Sequence, residues 1–442
     1  MSAVPKIIDL FSGCGGLALG FEKAGFAIAG GIELVPEAVD TVSANLAWRW
    51  GRESDHICAD ITTTDASALK GLVGPEGCIV IGGPPCQAYS RAGKAKLNSL
   101  GDDRTNTKDA RGFLFQDFLR FAFDLDAEAV VMENVPEATR FGEMNVPETV
   151  CSELEKHGYT AWWTVLCAAD YGVPQIRERL FVIGKKKGGK SVSLPVPTNG
   201  DAFGTVPQYG RQLGSFTKYP HFRIPATPAK GAPPWVTVGE AFSDLPSLFP
   251  DEHSKYINNP LNTEMPYRTG PANEFQKAMR GWYGFDLPGV TANAFRKNVR
   301  DFPIFARMKQ GDLFTDAARI ADELFYKKAR ELGLSSGSTE YEVLKRKTVP
   351  IYDRDNFAEK WRRLDENRPS HTVVAHLSVD TYSHIHPWEP RGISVREAAR
   401  LQSFPDDFTF NCSMGDAFKQ IGNAVPPLLA FAVASVVYES FK

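Results

Sequence analysis

The 442-residue chain lacks several features that would assign it to a class at once. No apolar run approaches the roughly 20 residues that a membrane span needs, and residues 1–6 do not resemble the start of a secretory leader. The seven cysteines are scattered and form no C-x-x-C pair, so neither a disulfide framework nor a zinc site is indicated. We therefore expect a folded cytoplasmic protein with no membrane partner and no metal.

An excess of positive charge is also missing, because the formal net charge is −3. A nucleic-acid surface, if the protein has one, must be a local basic stripe rather than a property of the whole chain. The length and the ordinary apolar fraction predict a sizeable core and two domains rather than one.

Short apolar runs alternate with helix-like stretches such as 112–125 over the first 184 residues. This alternation is typical of βαβ units, so we predict an α/β, Rossmann-like domain whose mostly parallel sheet has helices on both faces. The strand-like runs are 6–11, 27–32, 78–81, 129–132, 161–167 and 180–183.

A stretch rich in proline and glycine follows, up to residue 250, and interrupts that alternation. Shorter elements return after it, and the last 60 residues again have the pattern of a helix-rich α/β piece. We predict a discontinuous first domain, 1–190 with 383–442, and a smaller, irregular second domain, 191–382.

The first strand runs into a glycine-rich turn that opens a helix. Gly13, Gly15 and Gly16 lie where the backbone must turn sharply and approach a ligand closely. A turn of this kind binds a nucleoside or a dinucleotide, although a merely tight strand-to-helix connection has the same spacing.

Two acidic residues end strand-like segments, Glu33 after the second run and Asp60 in a further short segment, 58–61. Glu33 is placed to accept hydrogen bonds from ribose hydroxyls, and Asp60, followed by Ile61, to accept one from an adenine amino group. Taken singly, each could be a solvated loop residue or a helix cap. Together they favour an adenosine-containing cofactor.

A thiol, a carboxylate and two guanidinium groups stand at the ends of other predicted strands. Cys86 comes directly after Pro84-Pro85, Glu133 and Asn134 end an apolar run, and Arg177 and Arg179 precede another. Most cysteines are small buried hydrophobes, but this one stands in a stiff turn where open α/β sheets bind ligands. The set suits addition to an electron-poor ring whose carbonyl oxygen an arginine holds.

In this order the segments resemble the successive motifs of the DNA cytosine C5 methyltransferase family, over the first 184 and roughly the last 75 residues. The resemblance implies S-adenosyl-L-methionine as cofactor, S-adenosyl-L-homocysteine as product and double-stranded DNA as substrate. The irregular domain would be the target-recognition domain, and a monomer is expected. The cofactor contacts implied or derived are Phe11, Gly13, Gly15, Gly16, Glu33, Asp60, Ile61, Pro85, Leu114, Asn423 and Val425.

The resemblance also implies roles at the reacting base. Cys86 would add covalently to carbon 6 of cytosine, while Glu133 and Arg179 assist at N3 and O2. A base inside a duplex must first be flipped out, and residues 91–111 are predicted to close over it. The further catalytic candidates are Arg177, Gln87 and Asn134, and the candidate DNA contacts are Ser90, Arg91, Lys94, Arg111 and Gln175.

Three alternatives compete with this prediction. A tRNA-modifying branch shares the same motifs, although the large second domain favours DNA. A catalytically silent DNA-binding member would be expected to lack the cysteine, glutamate or arginine, and all three are present. An NAD-dependent oxidoreductase would explain the glycine turn and Glu33 but not the other motifs. The family also implies a restriction-modification or related defence system, with a nuclease encoded nearby.

Overall fold

The structure is a computed structural model that describes residues 4–47, 56–85, 110–205, 207–249, 256–284, 287–350 and 359–442. The chain forms two compact units. The first contains Met1–Trp235, Gln402–Phe404 and Ala424–Lys442, and the second contains Val236–Leu401 and Pro405–Asn423.

The first unit is built on a seven-stranded sheet of order β3-β2-β1-β4-β5-β7-β6, counted over the described residues. Strands β1 to β5 run parallel, and β7 runs antiparallel to both of its neighbours. The predicted mostly parallel α/β sheet is therefore confirmed. The strands are β1 (Lys6–Leu10), β2 (Ile28–Glu33), β3 (His56–Cys58), β4 (Cys78–Gly82), β5 (Ala129–Asn134), β6 (Tyr159–Cys167) and β7 (Glu178–Lys186), with β8 (Met265–Pro266) and β9 (Gly289–Val290) pairing in the second unit.

The described helices alternate with these strands in the first unit and dominate the second. They are α1 (Gly16–Lys23), α2 (Pro36–Val42), α3 (Ser67–Lys70), α4 (Leu114–Asp124), α5 (Val146–Lys156), α6 (Leu213–Phe216), α7 (Val238–Phe242), α8 (Glu274–Arg280), α9 (Phe302–Phe305), α10 (Phe314–Glu331), α11 (Thr339–Thr348), α12 (Val395–Leu401), α13 (Met414–Asn423) and α14 (Pro427–Glu439).

The central strands are apolar on both faces. Strand β4 is buried along its whole length, and residues 130–132 of β5 have no exposed surface. Continuous apolar strands are expected when helices cover both faces of a parallel sheet. This burial explains why the strand-like runs of the sequence show no alternation of polar and apolar residues.

Glycine allows α1 to lie directly on α14. A Cβ atom at Gly20 would stand 2.4 Å from Cβ of Ala430, so the two helix backbones approach more closely than any larger residue would permit. By length and composition alone, the stretch Met414–Glu439 is apolar enough to cross a membrane. It is divided into α13 and α14, however, and the packed face of α14 belongs to the core of the first unit.

Residues 191–235 join the first unit rather than the second. The carboxylate of Glu178, at the start of β7, accepts backbone hydrogen bonds from Tyr209 (2.8 Å) and Gly210 (3.0 Å). The ring of Trp163 on β6 packs against Phe222, with centroids 4.7 Å apart. These contacts place the stretch beside β6 at the edge of the sheet. The first unit therefore extends to Trp235, 45 residues beyond the predicted boundary at 190.

Basic residues at the end of β7 stabilise the last helix. Lys185 donates to the carbonyl oxygen of Ser440, and Lys190 donates to that of Glu439 at 3.2 Å. Cations near the carboxyl end of a helix neutralise its exposed carbonyl groups. Because Lys185 lies opposite Ala129, the first residue of β5, this cluster is at the amino end of that strand.

The second unit contains an unusual set of buried arginines, of which Arg391, Arg396 and Arg400 have no exposed surface. Arg400 binds Asp406 through two hydrogen bonds of 2.6 and 2.5 Å and also bonds Asp244 at 3.0 Å. Burial alone would raise the pKa of Asp406, but Arg400 holds it below its ordinary value. This ion-paired interior includes residues of α12.

The units therefore differ from the predicted domains at both boundaries. Residues 383–401 and 405–423 were predicted in the first domain but lie in the second unit. The physical reason is that the buried arginines of α12 bind acids and carbonyls of the second unit, such as Asp244. The functional domain boundaries stay a prediction.

Replacing Arg400 with Met should lower the free energy of unfolding by about 3–5 kcal/mol, because Asp406 would stay buried without its ion-pair partner. Unfolding in urea measures the loss. Arg319→Met is a matched control, since Arg319 and Glu323 form an exposed pair in α10 and should contribute less than about 1 kcal/mol. Equal losses in the two variants would contradict the role of the buried pair.

Candidate active site at the carboxyl edge of the sheet

The parallel strands end level with one another. Leu10 of β1 lies opposite Ile32 of β2 and Gly82 of β4, and Gly82 lies opposite Met132 of β5. The segments that follow these strands therefore meet at one edge, which we call the carboxyl edge. Open α/β sheets bind their ligands at this position.

The turn between β1 and α1 has the backbone that its glycines predict. Gly13 and Gly15 have φ angles of 54° and 87°, and Phe11, which is not a glycine, has a φ of 57°. A Cβ atom at Gly16 would stand 2.4 Å from the carbonyl oxygen of Val425. The turn is thus strained at one residue and in close contact with the segment before α14.

Glu33 ties this turn to the end of β2. Its two carboxylate oxygens accept hydrogen bonds from the backbone N–H of Gly13 (2.8 Å) and Val35 (2.9 Å). Each carboxylate oxygen has a second lone pair, so these bonds orient the group and leave it able to accept from a ligand hydroxyl.

Asp60 follows β3 and stays exposed at the same edge. One of its oxygens accepts from the backbone N–H of Thr62 (2.9 Å) and from its hydroxyl (2.7 Å). The backbone bond and then the hydroxyl bond hold the pKa of Asp60 below its ordinary value. The group is therefore an ionised acceptor, as binding of an amino group requires, and the neighbouring Ile61 is buried.

Asp9 belongs to this region, and sequence reasoning missed it. It is buried within β1, and among the described residues neither carboxylate oxygen has a hydrogen-bond partner. Burial first, and then the charge of Glu33, raise the pKa of Asp9 well above its ordinary value. The available clue was an acid within the otherwise apolar stretch 7–10, because a buried carboxylate is costly without a ligand or cation.

The remaining predicted cofactor residues divide between the units. Pro85 and Leu114 are half-buried and Val425 is buried, all in the first unit. Asn423 is exposed and belongs to the second unit, so its place relative to the others is not described.

Glu133 and Arg179, two of the predicted catalytic residues, form an ion pair. The two lie on adjacent antiparallel strands, and Arg179 Nε stands 2.9 Å from Glu133 Oε1 with both side chains mostly buried. Burial raises the pKa of Glu133, and Arg179 and Arg177 offset only part of that effect. A Cβ atom at Gly83 would lie 2.9 Å from Glu133 Oε2, so this glycine leaves room for the carboxyl group.

Asn134 fixes the turn that leads to the cysteine. Its side-chain amide donates to the carbonyl oxygen of Pro84 (3.2 Å) and accepts from the backbone N–H of Val135 (2.8 Å). The end of β5 and the turn after β4 are thereby joined, and Glu133 is held beside the segment that enters Cys86.

Arg177 and Gln175 are buried rather than surface groups. Arg177 donates to the carbonyl oxygen of Ala424 (3.1 Å), and Gln175 donates to the side chain of Gln402 (2.9 Å). Their side chains hold the segment before β7 inside the first unit. This burial disfavours the predicted contact of Gln175 with DNA, because the amide has no exposed surface to offer.

Several predicted residues lie outside the described residues: Cys86, Gln87, Ser90, Arg91 and Lys94. Arg111 lies in a short turn, Ala110–Phe113, of which only the backbone is described at that position.

The loop before Arg177 has its own anchor in Asp170. Asp170 Oδ1 accepts from the indole N–H of Trp235 (2.8 Å), and its backbone carbonyl accepts from Thr198 (2.9 Å) and Asn199 (3.0 Å). Burial raises the pKa of Asp170 to about 6, although the Trp235 hydrogen bond acts in the opposite direction.

The chain is similar to known proteins over nearly its whole length. The model of the C-5 cytosine-specific DNA methylase family matches residues 5–439. M.OihORF3336P of Oceanobacillus iheyensis is 50% identical, covering 99% of this chain and 96% of the relative. Type II methyltransferase M.AgeI of Thalassovita gelatinovora is 33% identical, covering 98% and 99%. A solved structure of a prophage-encoded E. coli protein shares the fold, with a TM-score of 0.64 and 23% identity over 99% of both chains.

Asp170→Asn should stabilise the protein at neutral pH. Because the folded-state pKa of about 6 exceeds the ordinary 3.8, the wild type loses stability as pH rises between these values. Asparagine still accepts from Trp235 but carries no charge, so the variant should gain at most about 3 kcal/mol above pH 6 and nothing below pH 4. Thermal unfolding across this range measures the difference, and parallel stability curves would contradict the assignment.

Proposed function

Because the chain belongs to the C-5 cytosine-specific DNA methylase family, we propose that it transfers a methyl group from S-adenosyl-L-methionine to carbon 5 of a cytosine in duplex DNA. The observation that carries this proposal is the buried Glu133–Arg179 pair, which Asn134 holds beside the turn into Cys86. A carboxyl group with a raised pKa next to a guanidinium suits a cytosine ring, whose N3 and O2 accept a proton and a hydrogen bond.

The carboxyl edge fits the proposed cofactor. Glu33 and Asp60 can accept from ribose hydroxyls and an adenine amino group, and the buried carboxyl of Asp9 suits the cationic methionine end. The backbone at Gly13 has open space on its Cβ side. When bound, S-adenosyl-L-methionine supplies an activated methyl group on sulfur.

Covalent addition solves a reactivity problem, because carbon 5 of cytosine is a poor nucleophile. In the proposed mechanism the Cys86 thiolate donates an electron pair to carbon 6, and the ring electrons shift toward N3 and O2. Carbon 5 then has enamine character and, with S-adenosyl-L-methionine bound, would bond to its methyl group as the methyl–sulfur bond breaks and S-adenosyl-L-homocysteine is left. A base then removes the proton from carbon 5, and the thiolate leaves carbon 6. This elimination restores the double bond between carbons 5 and 6 and the free Cys86.

Glu133 and Arg179 act on the charge that this addition creates. The raised pKa of Glu133 allows it to hold a proton and deliver it to N3, and to take it back on elimination. Arg179 donates hydrogen bonds to O2, where charge develops. Arg177 has a positioning role in this scheme, because its guanidinium bonds a backbone carbonyl.

Carbon 6 is inaccessible inside a duplex, so the target base must be flipped out. We propose that residues 91–111 close over it and that their basic residues, including Arg91, Lys94 and Arg111, bind phosphates. Residues 191–382 would then read the target sequence, as a recognition domain between discontinuous parts of a catalytic domain. M.AgeI is named a type II methyltransferase, which favours a cytoplasmic role in restriction-modification with a nuclease encoded nearby.

Two alternatives have distinct outcomes. A tRNA cytosine methyltransferase would methylate tRNA but not duplex DNA. A silent DNA-binding member would bind DNA without turnover, but Cys86, Glu133 and Arg179 are all present.

The covalent step predicts a trapped complex. Duplex DNA of mixed sequence, incubated with the protein and S-adenosyl-L-methionine, should show methylated cytosines in one sequence context on bisulfite sequencing. DNA carrying 5-fluorocytosine at that site should form a denaturation-resistant adduct, because fluorine cannot leave as a proton does. Cys86→Ala should form no adduct, and an adduct with this variant would show that the nucleophile is another residue.

Glu133→Gln should lower kcat by about 10²–10⁴-fold with little change in KM for DNA, because an amide can bond Arg179 but cannot transfer a proton. Steady-state methyl incorporation measures both constants. Glu128→Gln is the matched control, since Glu128 precedes β5 at its other end and pairs with Lys186. Similar rates for Glu133→Gln and the wild type would rule out proton transfer by Glu133.

A further inference from the structure

Three consecutive residues, Gln402–Phe404, lie in the first unit although the chain on both sides belongs to the second. We call this tripeptide the 402–404 finger. At its base Arg400 and Asp406 form a buried two-bond ion pair, and Arg396 donates to the carbonyl oxygen of Pro405 at 3.0 Å. The finger is thus a short loop whose two ends are fixed together.

Gln402 joins two parts of the candidate active site. Its side-chain oxygen accepts from Gln175 Nε2 (2.9 Å), and its side-chain nitrogen donates to the carbonyl oxygen of Ala424 (3.4 Å). The same carbonyl accepts from Arg177 (3.1 Å). The amide therefore connects the segment that carries Arg177 and Arg179 with the segment that enters Val425, and it is fully buried.

Ser403 holds the start of the last helix. Its hydroxyl accepts from the backbone N–H of Leu428, the second residue of α14, at 3.1 Å. The φ angle of Ser403 is 58°, in the left-handed region that a residue with a Cβ atom rarely occupies. This conformation persists where the surrounding contacts fix it, and such positions concentrate at functional sites.

Phe404 completes the finger at the glycine turn. A Cβ atom at Gly16 would stand 3.2 Å from Cζ of Phe404 and 2.4 Å from the carbonyl oxygen of Val425. The ring and that carbonyl therefore both pack on the backbone at the start of α1. The finger residues therefore contact several segments that carry predicted site residues: the segment before β7, the segment 424–428 and the glycine turn.

We propose that Gln402 and Ser403 are positioning residues of the methyltransferase site. Through Ala424 and Leu428 they fix the Val425 segment against the glycine turn, and through Gln175 they fix the segment that leads to Arg179. The role rests on the proposed function, because it concerns the fit of that site to its cofactor.

The test compares cofactor-product binding with stability in the full-length protein. Gln402→Leu retains much of the side-chain volume and removes the hydrogen bonds to Gln175 and Ala424. We expect its Kd for S-adenosyl-L-homocysteine, measured by titration calorimetry, to rise about tenfold and kcat to fall about tenfold, with KM for DNA unchanged. Ser403→Ala removes the hydroxyl from Leu428 and should raise the same Kd by about two- to fivefold.

Gln276→Leu is the matched control. Gln276 is also fully buried and bonds Glu240 (2.7 Å), Ser243 (2.9 Å) and Ala272 (2.7 Å), none of which is a predicted site residue. This variant should lower the thermal unfolding temperature at least as much as Gln402→Leu while leaving Kd and kcat unchanged. A merely structural role of the finger would instead make both glutamine variants alike.

The outcomes separate the two proposals. The positioning role is overturned if the wild type methylates DNA and both finger variants bind S-adenosyl-L-homocysteine with the wild-type Kd. If the wild type neither binds this product nor methylates DNA, the proposed function fails. Should Gln402→Leu not fold, Ser403→Ala tests the same prediction, because it removes one oxygen from a side chain that stays in place.

Discussion

The site depends on one constraint, which is that the parallel strands are in register and end at the same edge of the sheet. Because β1, β2, β4 and β5 are in register, the glycine turn, Glu33, the Pro84-Pro85 turn and Glu133 are brought to one edge from positions up to 120 residues apart. Strand β7 then enters antiparallel beside β5, and this direction places Arg179 next to Glu133. If β7 ran parallel to β5, its first residues, including Arg179, would lie at the amino end of β5 and far from Glu133.

The site stores unfavourable interactions that a ligand can relieve. Asp9 is buried with no described partner, and Glu133 is desolvated so strongly that its pKa rises although two arginines are near. Phe11 and Ser403 have left-handed backbones without being glycine. Such costs are maintained when the surrounding core fixes the conformation, and the residues of β4 and β5 around the site are buried.

The second unit is stabilised in a different way. Its described residues form helices and one two-stranded ladder, and three of its buried arginines, Arg391, Arg396 and Arg400, have no exposed surface and bond carboxylates or carbonyl groups. Directional bonds of this kind fix geometry that apolar packing alone leaves adjustable. Here they join Arg400 to Asp406, the residues that flank the 402–404 finger in the sequence.

The sequence by itself determined the parallel α/β sheet, the glycine turn and the family, because apolar periodicity and short motifs are local properties. It also identified Glu33, Asp60, Glu133 and Arg179 as candidates, since each stands next to a recognisable strand. Tertiary structure alone decided that Gln175 is buried, that 191–235 pack on β6 and that α12 belongs to the second unit. These outcomes depend on partners such as Gln402, Trp163 and Asp244, which are distant in sequence, and no local pattern specifies which distant group a buried polar side chain will find.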